Sequence, residues 1–277
     1  YGYTLLAQIP KVELMELRLI SSRHTDECVE VLTGLGYRKE DIIICGNKEQ
    51  VQSAPGHGVL IVNDYRLVLE SDITALVECT GNTAVSSEVS ADALKKGINV
   101  YMVSKETDSV CGPILNNIAE KHGTVYSLVN GDQPRNLLDL YSWGKVLGLE
   151  IIAAGKASEY DFVWDPDTDE FTYMEGPEKP HENIPGLKEF WHYEGPGTLE
   201  GRRKLLEKYM AVISADLCEM NLVSNVTGLV PSDRRLNYPV AKISELADIF
   251  IPEEDGGILK KTGVVDVFCN LRAPDEA

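Results

Sequence analysis

The stretch that decides the fold runs from residue 75 to residue 129 and reads ALVECTGNTAVSSEVSADALKKGINVYMVSKETDSVCGPILNNIAEKHGTVYSLV. Short apolar runs alternate in it with longer helical patterns, which stop at Gly97 and Gly123. Continuous apolar runs of this kind are typical of parallel strands that helices cover on both faces. The stretch therefore predicts two strand–helix repeats followed by a third strand.

The same alternation extends upstream to the first residues. A helix end, a strand, a helix and two more strands are predicted there at residues 3–9, 12–21, 25–36, 42–45 and 59–62. A Rossmann-type nucleotide fold begins with a strand and a glycine-rich loop, and neither precedes the first predicted helix. We therefore expect residues 1–130 to form an α/β doubly wound parallel sheet, an N-terminally truncated NAD(P)-binding Rossmann domain whose first strand is missing.

The pattern changes after residue 130. The predicted elements are a helix, a strand, a polar insertion or lid, two helices and a strand, at residues 135–147, 150–154, 161–197, 198–210, 216–225 and 264–271. This mixture predicts an α+β substrate-binding and catalytic domain over residues 131–277. No polar tail follows the final strand, so we expect this domain to be C-terminally truncated.

The composition is that of a globular protein and excludes some partners. Of the 277 residues 43% are hydrophobic, and no apolar run is long enough to span a bilayer. The chain carries 26 basic and 44 acidic residues, and its net charge of −18 repels nucleic-acid backbones and anionic membrane surfaces. Six widely spaced cysteines without a C-x-x-C pair indicate reduced thiols. We expect a cytoplasmic protein with a small-molecule substrate and no nucleic-acid or membrane partner.

Polar residues follow the predicted strands of the first domain, at the edge where such sheets bind nucleotides. Ser22 and Arg23 follow the second strand of the expected fold, and hydroxyl groups beside a guanidinium suit the additional phosphate of NADP. A solvated loop and the use of NAD are the alternatives. Gly2 is compatible with the last glycine of a dinucleotide fingerprint, or with an arbitrary glycine. The other candidate cofactor contacts are Thr80, Gly81, Asn82 and Ser104.

Charged residues near element ends are the candidate catalytic groups. Lys156 follows the apolar run EIIAAG and could protonate a carbonyl or hold its oxygen, or simply reach solvent. Glu219 lies among apolar helix residues, either as a buried acid paired with Lys156 or as an ordinary surface acid. Asp132, in the polar loop after the strand predicted at 125–129, is the third candidate.

A second charged segment follows the strand predicted at 99–103. Lys105 could neutralise an oxyanion or a substrate phosphate. The acids Glu106 and Asp108 are the candidate ligands of a divalent metal. Taken singly, each of the three is also compatible with a surface charge.

Six motifs, in order along the chain, carry a family resemblance. They are VECTGNT, MVSKETDSVCGPIL, VYSLVNGDQP, GLEIIAAGKASEY, DLCEMNLVSNVTGL and EDGGILKKTGVVDVFCNLRAPDEA. Together they resemble the homoserine-dehydrogenase-like NAD(P) oxidoreductases. Within that family, the resemblance is to the branch that includes enzymes similar to 1-deoxy-xylulose 5-phosphate reductoisomerase and sugar-acid oxidoisomerases.

The resemblance implies hydride transfer between a nicotinamide and the carbonyl or alcohol of a small polar substrate, a divalent metal in the reductoisomerase branch, and a homo-oligomer. Lys105 matches the lysine after the fifth strand of homoserine dehydrogenases, while Lys156 and Glu219 match the AGK and Glu-Met motifs of the closer branch. Residues 212–215 read VISA where reductoisomerase-like members carry Asp-Gly-Thr-Lys. A catalytically inactive nucleotide-sensing protein on the same fold is therefore the alternative.

Overall fold

The computed structural model describes residues 2–173, 181–210 and 212–276. Contacts between residues divide the chain into two compact units, Tyr1–Val129 and Asn130–Ala277. We refer to them as unit 1 and unit 2. Their assignment as cofactor and substrate domains stays a prediction.

Unit 1 contains parallel strands, as the apolar runs predict. The strands are β1 (Leu19–Ser21), β2 (Ile42–Cys45), β3 (Val59–Val62), β4 (Ala75–Glu78), β5 (Asn99–Met102) and β6 (Tyr126–Leu128). Their pairing gives two three-stranded parallel sheets, in the orders β1-β3-β2 and β4-β5-β6. The expected α/β class is confirmed, but the expected single sheet is found as two, because no ladder of hydrogen bonds joins the sheets across the described residues.

The helices of unit 1 are α1 (Gly2–Gln8), α2 (Thr25–Gly34), α3 (Lys48–Ser53), α4 (Thr83–Lys95) and α5 (Lys105–His122). Helix α4 begins at a capping residue, because the Asn82 side chain accepts a hydrogen bond from the Val85 N–H at 3.1 Å. A proline suits the first turn of a helix, and the sequence around Pro113 predicts a helix at residues 112–122. The predicted start was wrong, since α5 begins eight residues before Pro113 and carries it inside the helix. Ile73 and Leu76 pack against the core clusters of both sheets, which joins them into one unit.

The strand predicted at 12–21 is much shorter than its apolar pattern suggests. Only Leu19–Ser21 pairs, with β3, and Leu14 is 97% exposed. A strand needs a neighbour to satisfy its backbone groups, and none of the described strands pairs with residues 12–17.

Unit 2 is built on a mixed sheet. Its strands are β7 (Ala153–Asp165), β8 (Glu170–Tyr173), β9 (His181–Glu182), β10 (Val230–Pro231), β11 (Val240–Ala241) and β12 (Val264–Arg272). The order is β10-β12-β7-β8-β9, with β11 also on β12; β7 and β12 run parallel, and β7, β8 and β9 pair antiparallel. The helices are α6 (Gln133–Val146), α7 (Pro196–Leu206), α8 (Ser214–Thr227) and α9 (Leu246–Ile249).

The polar insertion predicted at 161–197 was wrong in its first part. Strand β7 continues to Asp165, and Phe162 and Trp164 on one face of it are fully buried. Buried and partly exposed side chains alternate over residues 161–165, which is the pattern of a strand with one covered face. Residues 174–180 of the predicted lid lie outside the described residues.

Candidate functional site

The side chain of Lys156 is delivered by β7 at a point of close strand approach. The preceding Gly155 pairs with Asp266 of β12, and a Cβ at Gly155 would overlap the Asp266 carbonyl oxygen. A glycine is therefore required at that position for the two strands to pair. Because side chains alternate along a strand, Lys156 and Ser158 point to the same face of β7.

Helix α8 supplies two acids to this face. Asp216 and Glu219 are three residues apart, which places them on one side of the helix, and both are fully buried. Acids at such positions are rare unless they are paired. Their partner is a lysine from another element.

The Lys156 ammonium lies among acids from two elements. Its Nζ atom is 2.8 Å from Asp216 Oδ1, in contact with Glu219 Oε2, and 3.3 Å from Glu159 Oε1. It also donates to Gln133 Oε1, at the start of α6, at 2.6 Å. We call Lys156, Glu159, Asp216 and Glu219 the charged cluster. The predicted pairing of Lys156 with Glu219 is present in this geometry.

The second oxygen of Asp216 is held by two hydroxyl groups. Ser158 donates to Asp216 Oδ2 at 2.8 Å and Tyr238 donates to the same atom at 3.1 Å. Burial and the neighbouring carboxylate raise the pKa of Tyr238, so its hydroxyl stays a donor. These bonds leave Asp216 Oδ1 directed at Lys156.

The loop that carries Tyr238 is strained and anchored. Leu236 and Tyr238 have φ values of +63° and +46°, a region that bulky side chains rarely adopt. The buried carboxylate of Asp266 accepts hydrogen bonds from the Asn237 N–H and side-chain amide, both at 2.7 Å, and from Ser232 at 2.6 Å. These bonds hold the backbone in the conformation that presents the Tyr238 hydroxyl to Asp216.

The charged cluster keeps its lysine protonated. Burial alone would lower the pKa of Lys156, but hydrogen bonds and charge interactions with Asp216 and Glu219 outweigh burial and raise it. A protonated ammonium at the end of a buried hydrogen-bond network can hold a substrate oxygen or donate a proton to it.

The same acids could hold a metal ion. One oxygen from each of Glu159, Asp216 and Glu219 lies within 4.8 Å of the others. Carboxylate oxygens are the ligands that Mg²⁺ and related divalent cations prefer. The donor set therefore fits a divalent cation, although the Lys156 ammonium already contacts all three side chains.

The other candidate catalytic and metal residues lie elsewhere. Asp132 caps α6, accepting a hydrogen bond from the Gln133 N–H at 2.9 Å, and so helps to place the Gln133 side chain that meets Lys156. Lys105 begins α5 in unit 1, and the exposed Glu106 follows it. Asp108 is buried and accepts a hydrogen bond from the Tyr126 hydroxyl at 2.5 Å.

The predicted metal ligands are not brought together with further acids. Glu106 and Asp108 belong to no group of three or more candidate ligands within the described part of the chain. The predicted catalytic roles of Lys105 and Asp132 stay predictions.

The predicted cofactor residues lie in loops at the ends of β1, β4 and β5, except for Gly2 at the exposed start of α1. Ser22 accepts a hydrogen bond from the His24 N–H at 3.1 Å, and Arg23 is exposed. Gly81 has a φ of +65° and donates its N–H to Ser104 Oγ at 3.0 Å, so the loops after β4 and β5 are joined. The remaining two, Thr80 and Asn82, are exposed beside Gly81.

Sequence reasoning missed five residues around Lys156. They are Gln133, Ser158, Glu159, Asp216 and Tyr238. The spacing of Asp216 and Glu219, and the strand alternation of Lys156 and Ser158, were signals that could have found two of them. Tyr238 carries no comparable signal, since a strained loop brings it to the site.

Comparisons with known proteins place an oxidoreductase domain on this part of the chain. Residues 206–274 match the family model described as oxidoreductase DRL, catalytic domain. The matched segment contains α8 with Asp216 and Glu219, and also Tyr238. Over these residues the chain is similar to an oxidoreductase catalytic domain, which agrees with the oxidoreductase that the sequence predicts.

Among solved structures, 1-deoxy-D-xylulose 5-phosphate reductoisomerase from Zymomonas mobilis in complex with NADPH is similar over 81% of this chain, at 13% sequence identity and a TM-score of 0.43. The chain spans 54% of the length of that protein. No curated protein matches the chain. Among the described residues, no helix is both long and apolar enough to cross a membrane.

Proposed function

We propose that the chain is part of an NADPH-linked oxidoreductase that acts on the carbonyl or alcohol of a small polyhydroxylated or phosphorylated substrate. The observation that carries the proposal is the position of the Lys156 ammonium, which contacts two buried acids and one half-exposed acid on one face of β7. A group of this kind suits a reaction in which negative charge develops on a substrate oxygen.

Lys156 has the role of acid and clamp. In the direction of reduction, NADPH held by the loops after β1, β4 and β5 would supply a hydride to the carbonyl carbon. The Lys156 ammonium donates its proton to the carbonyl oxygen, so that an alcohol forms and the lysine is left neutral. Asp216 and Glu219 hold the ammonium in place, and Ser158 and Tyr238 keep Asp216 aimed at it.

A divalent cation would bind the charged cluster through Glu159, Asp216 and Glu219. Its chemistry would be the polarisation of a substrate carbonyl or hydroxyl oxygen. The acids Glu106 and Asp108 lie in unit 1, and we do not assign them this role.

Loop residues of unit 1 are the proposed contacts of NADPH. Arg23 is exposed after β1, and its guanidinium makes no hydrogen bond or ion pair with the described residues, so it is free to bind a phosphate. Gly81, Asn82 and Ser104 form a joined edge after β4 and β5, where a nucleotide can approach the backbone. These features favour NADPH, with NADH as the weaker ligand.

Our proposal for the specific reaction comes from the sequence resemblance. A homoserine-dehydrogenase-like oxidoreductase of the reductoisomerase-like or oxidoisomerase branch would add a carbon shift to the hydride transfer. We also propose a small-molecule substrate, a homo-oligomer and a cytoplasmic location, without nucleic-acid or membrane partners.

Incubation of the protein with NADPH and a panel of hydroxy-ketones and sugar phosphates, with and without Mg²⁺, tests the proposal. We expect oxidation of NADPH by at least one carbonyl compound, and loss of that activity in K156A but not in K145A, which changes an exposed lysine of α6. Tight NADPH binding without turnover of any compound would favour the nucleotide-sensing alternative, for which the apolar stretch at 212–215 is the supporting feature.

A further inference from the structure

The Lys156 ammonium occupies the place that a metal ion would take in the charged cluster. Asp216 and Glu219, two of the three acids that could bind a cation, contact Nζ through Oδ1 and Oε2. The Glu159 oxygen approaches from the third side at 3.3 Å. The lysine thus acts as a cation that is built into the chain.

An ammonium and a divalent cation cannot share this position. Magnesium binds carboxylate oxygens at about 2.1 Å, so an ion that bound all three acids would fill the space between them. The repulsion between two positive charges at such a distance is strong in a buried environment. Only one of the two cations can therefore be seated among the acids.

The net charge of the cluster favours replacement of the ammonium by a divalent cation. Three carboxylates surround one ammonium, so the charged cluster keeps a formal excess of negative charge with the lysine in place. Two of the acids are fully buried, where such an excess is costly. A divalent cation would reduce that excess further than the lysine does.

The lysine also has a hydrogen-bond acceptor outside the three acids. Gln133 Oε1 lies 2.6 Å from Nζ and belongs to a neutral, exposed side chain at the start of α6. Meanwhile Ser158 and Tyr238 hold Asp216 through Oδ2, so Oδ1 stays in place when the lysine leaves. The acids are pre-arranged for either occupant.

We propose that the Lys156 ammonium and a divalent cation are alternative occupants of the Glu159–Asp216–Glu219 carboxylates, so that Lys156 sets the metal affinity of the site. Metal binding displaces the ammonium toward Gln133. The use of the released ammonium on a substrate oxygen rests on the proposed function, but the exchange of the two cations does not.

Titration of the metal-free protein with Mn²⁺, followed by the electron paramagnetic resonance signal of the free ion, tests this exchange. We expect K156Q to bind Mn²⁺ about tenfold or more tightly than the unchanged protein, because the competing charge is gone. K156R keeps a competing cation and is expected to bind no more tightly than the unchanged protein. K145Q is the matched control, and E219Q is expected to bind more weakly than any of them. Equal or weaker binding by K156Q, or no binding by any variant, would overturn the proposal.

A second measurement needs no variant and covers the case in which K156Q does not fold. Lysine acetylation by a water-soluble reagent is followed by mass spectrometry with and without saturating Mn²⁺, with Lys145 as the internal reference. We expect Mn²⁺ to raise the labelling of Lys156 severalfold and to leave Lys145 unchanged. Labelling of Lys156 that stays constant while Mn²⁺ is bound would contradict the exchange. Neither measurement depends on NADPH or turnover, so their failure is distinct from failure of the proposed function.

Discussion

The loop edge of unit 1 consists of the residues that follow β1, β4 and β5, namely Ser22, Arg23, Thr80, Gly81, Asn82 and Ser104. It is built in the opposite way to the charged cluster of unit 2. Arg23 and Asn82 in the loop edge are exposed, and the bonds of their loops are mostly to residues a few positions away. The charged cluster is partly buried, and it joins β7 and α8 with the strained loop at Tyr238. The loop edge is open to a ligand as it stands, whereas the electrostatics of the charged cluster are fixed by the fold.

This difference sets where each region is sensitive. An exposed charge in water contributes little to stability, so Arg23 of the loop edge can change with little effect on folding. A charge among buried partners cannot be removed alone without leaving the others uncompensated. Changes in unit 1 should therefore alter ligand binding, and changes in unit 2 should alter catalysis and stability.

The largest effect is expected at Lys156. Replacement of its ammonium in K156A should lower kcat about 100- to 10,000-fold, the usual contribution of a positioned acid, with NADPH affinity unchanged. Steady-state kinetics and a separate NADPH titration check both parts. If K156A retained the kcat of the K145A control, the charged cluster would not be catalytic and the contrast between the two units would fail.

Replacement of Arg23 should change only the preference for NADPH over NADH. R23A should weaken NADPH binding about 10- to 100-fold, since charge-assisted hydrogen bonds contribute about 1.5–3 kcal/mol, and should leave NADH binding and thermal stability as they were. Fluorescence titration with both nucleotides measures this. The matched control is R38A, which removes an exposed guanidinium of unit 1 that pairs with Asp41. Equal losses for NADPH and NADH in R23A would remove the assignment of the phosphate to Arg23.

Tyr238 should show its effect in stability. Y238F removes the hydroxyl that donates to the buried Asp216, so the free energy of unfolding should fall by about 1.5–3 kcal/mol. Y141F is the control, because its hydroxyl makes only a 3.5 Å contact with the Thr227 carbonyl oxygen. Urea unfolding compares the two variants. A Y238F protein as stable as Y141F would mean that the hydroxyl does not hold Asp216.

The contrast also explains what the sequence could predict. The loop edge follows from strand order, because carboxyl ends of parallel strands collect at one edge, so the positions of Ser22 and Gly81 could be read from the apolar runs. Lys156 and Glu219 were found from their apolar surroundings. Asp216 was missed although its helical spacing from Glu219 is visible in the sequence, and Tyr238 was missed because a strained loop brings its hydroxyl to Asp216.

Some helix and strand boundaries were predicted wrongly, for reasons that are local to each segment. Pro113 was interpreted as a helix start, yet α5 accommodates it inside. Acidic residues flank the buried Phe162 and Trp164, so this segment was predicted as part of a polar insertion. Strand β7 was therefore predicted far too short. The two sheets of unit 1 could not have been separated by pattern alone, since hydrogen-bond pairing between strands is not visible in hydrophobicity.

The smallest effect is expected in the pH dependence of unit 1. Burial raises the pKa of Asp108, and its hydrogen bond with Tyr126 only partly opposes this. The neutral form is therefore favoured in the folded state, so the stability it contributes is full below the unfolded value of 3.8 and is lost as the pH rises through the raised folded pKa.

D108N, which stays neutral, should lack this loss, so the unchanged protein should lose stability relative to D108N as the pH rises through that window. Urea unfolding at a series of pH values measures the difference, which should be smaller than the effect of Y238F. Parallel curves for the two proteins would show that Asp108 ionises as easily in the folded state as in the unfolded one.

The most direct test of the central claim is a calorimetric titration of the protein with NADPH and then with NADH. The claim is that the loop edge of unit 1 binds a pyridine nucleotide for the oxidoreductase. We predict saturable binding of NADPH and weaker binding of NADH. The absence of binding by both nucleotides would contradict it.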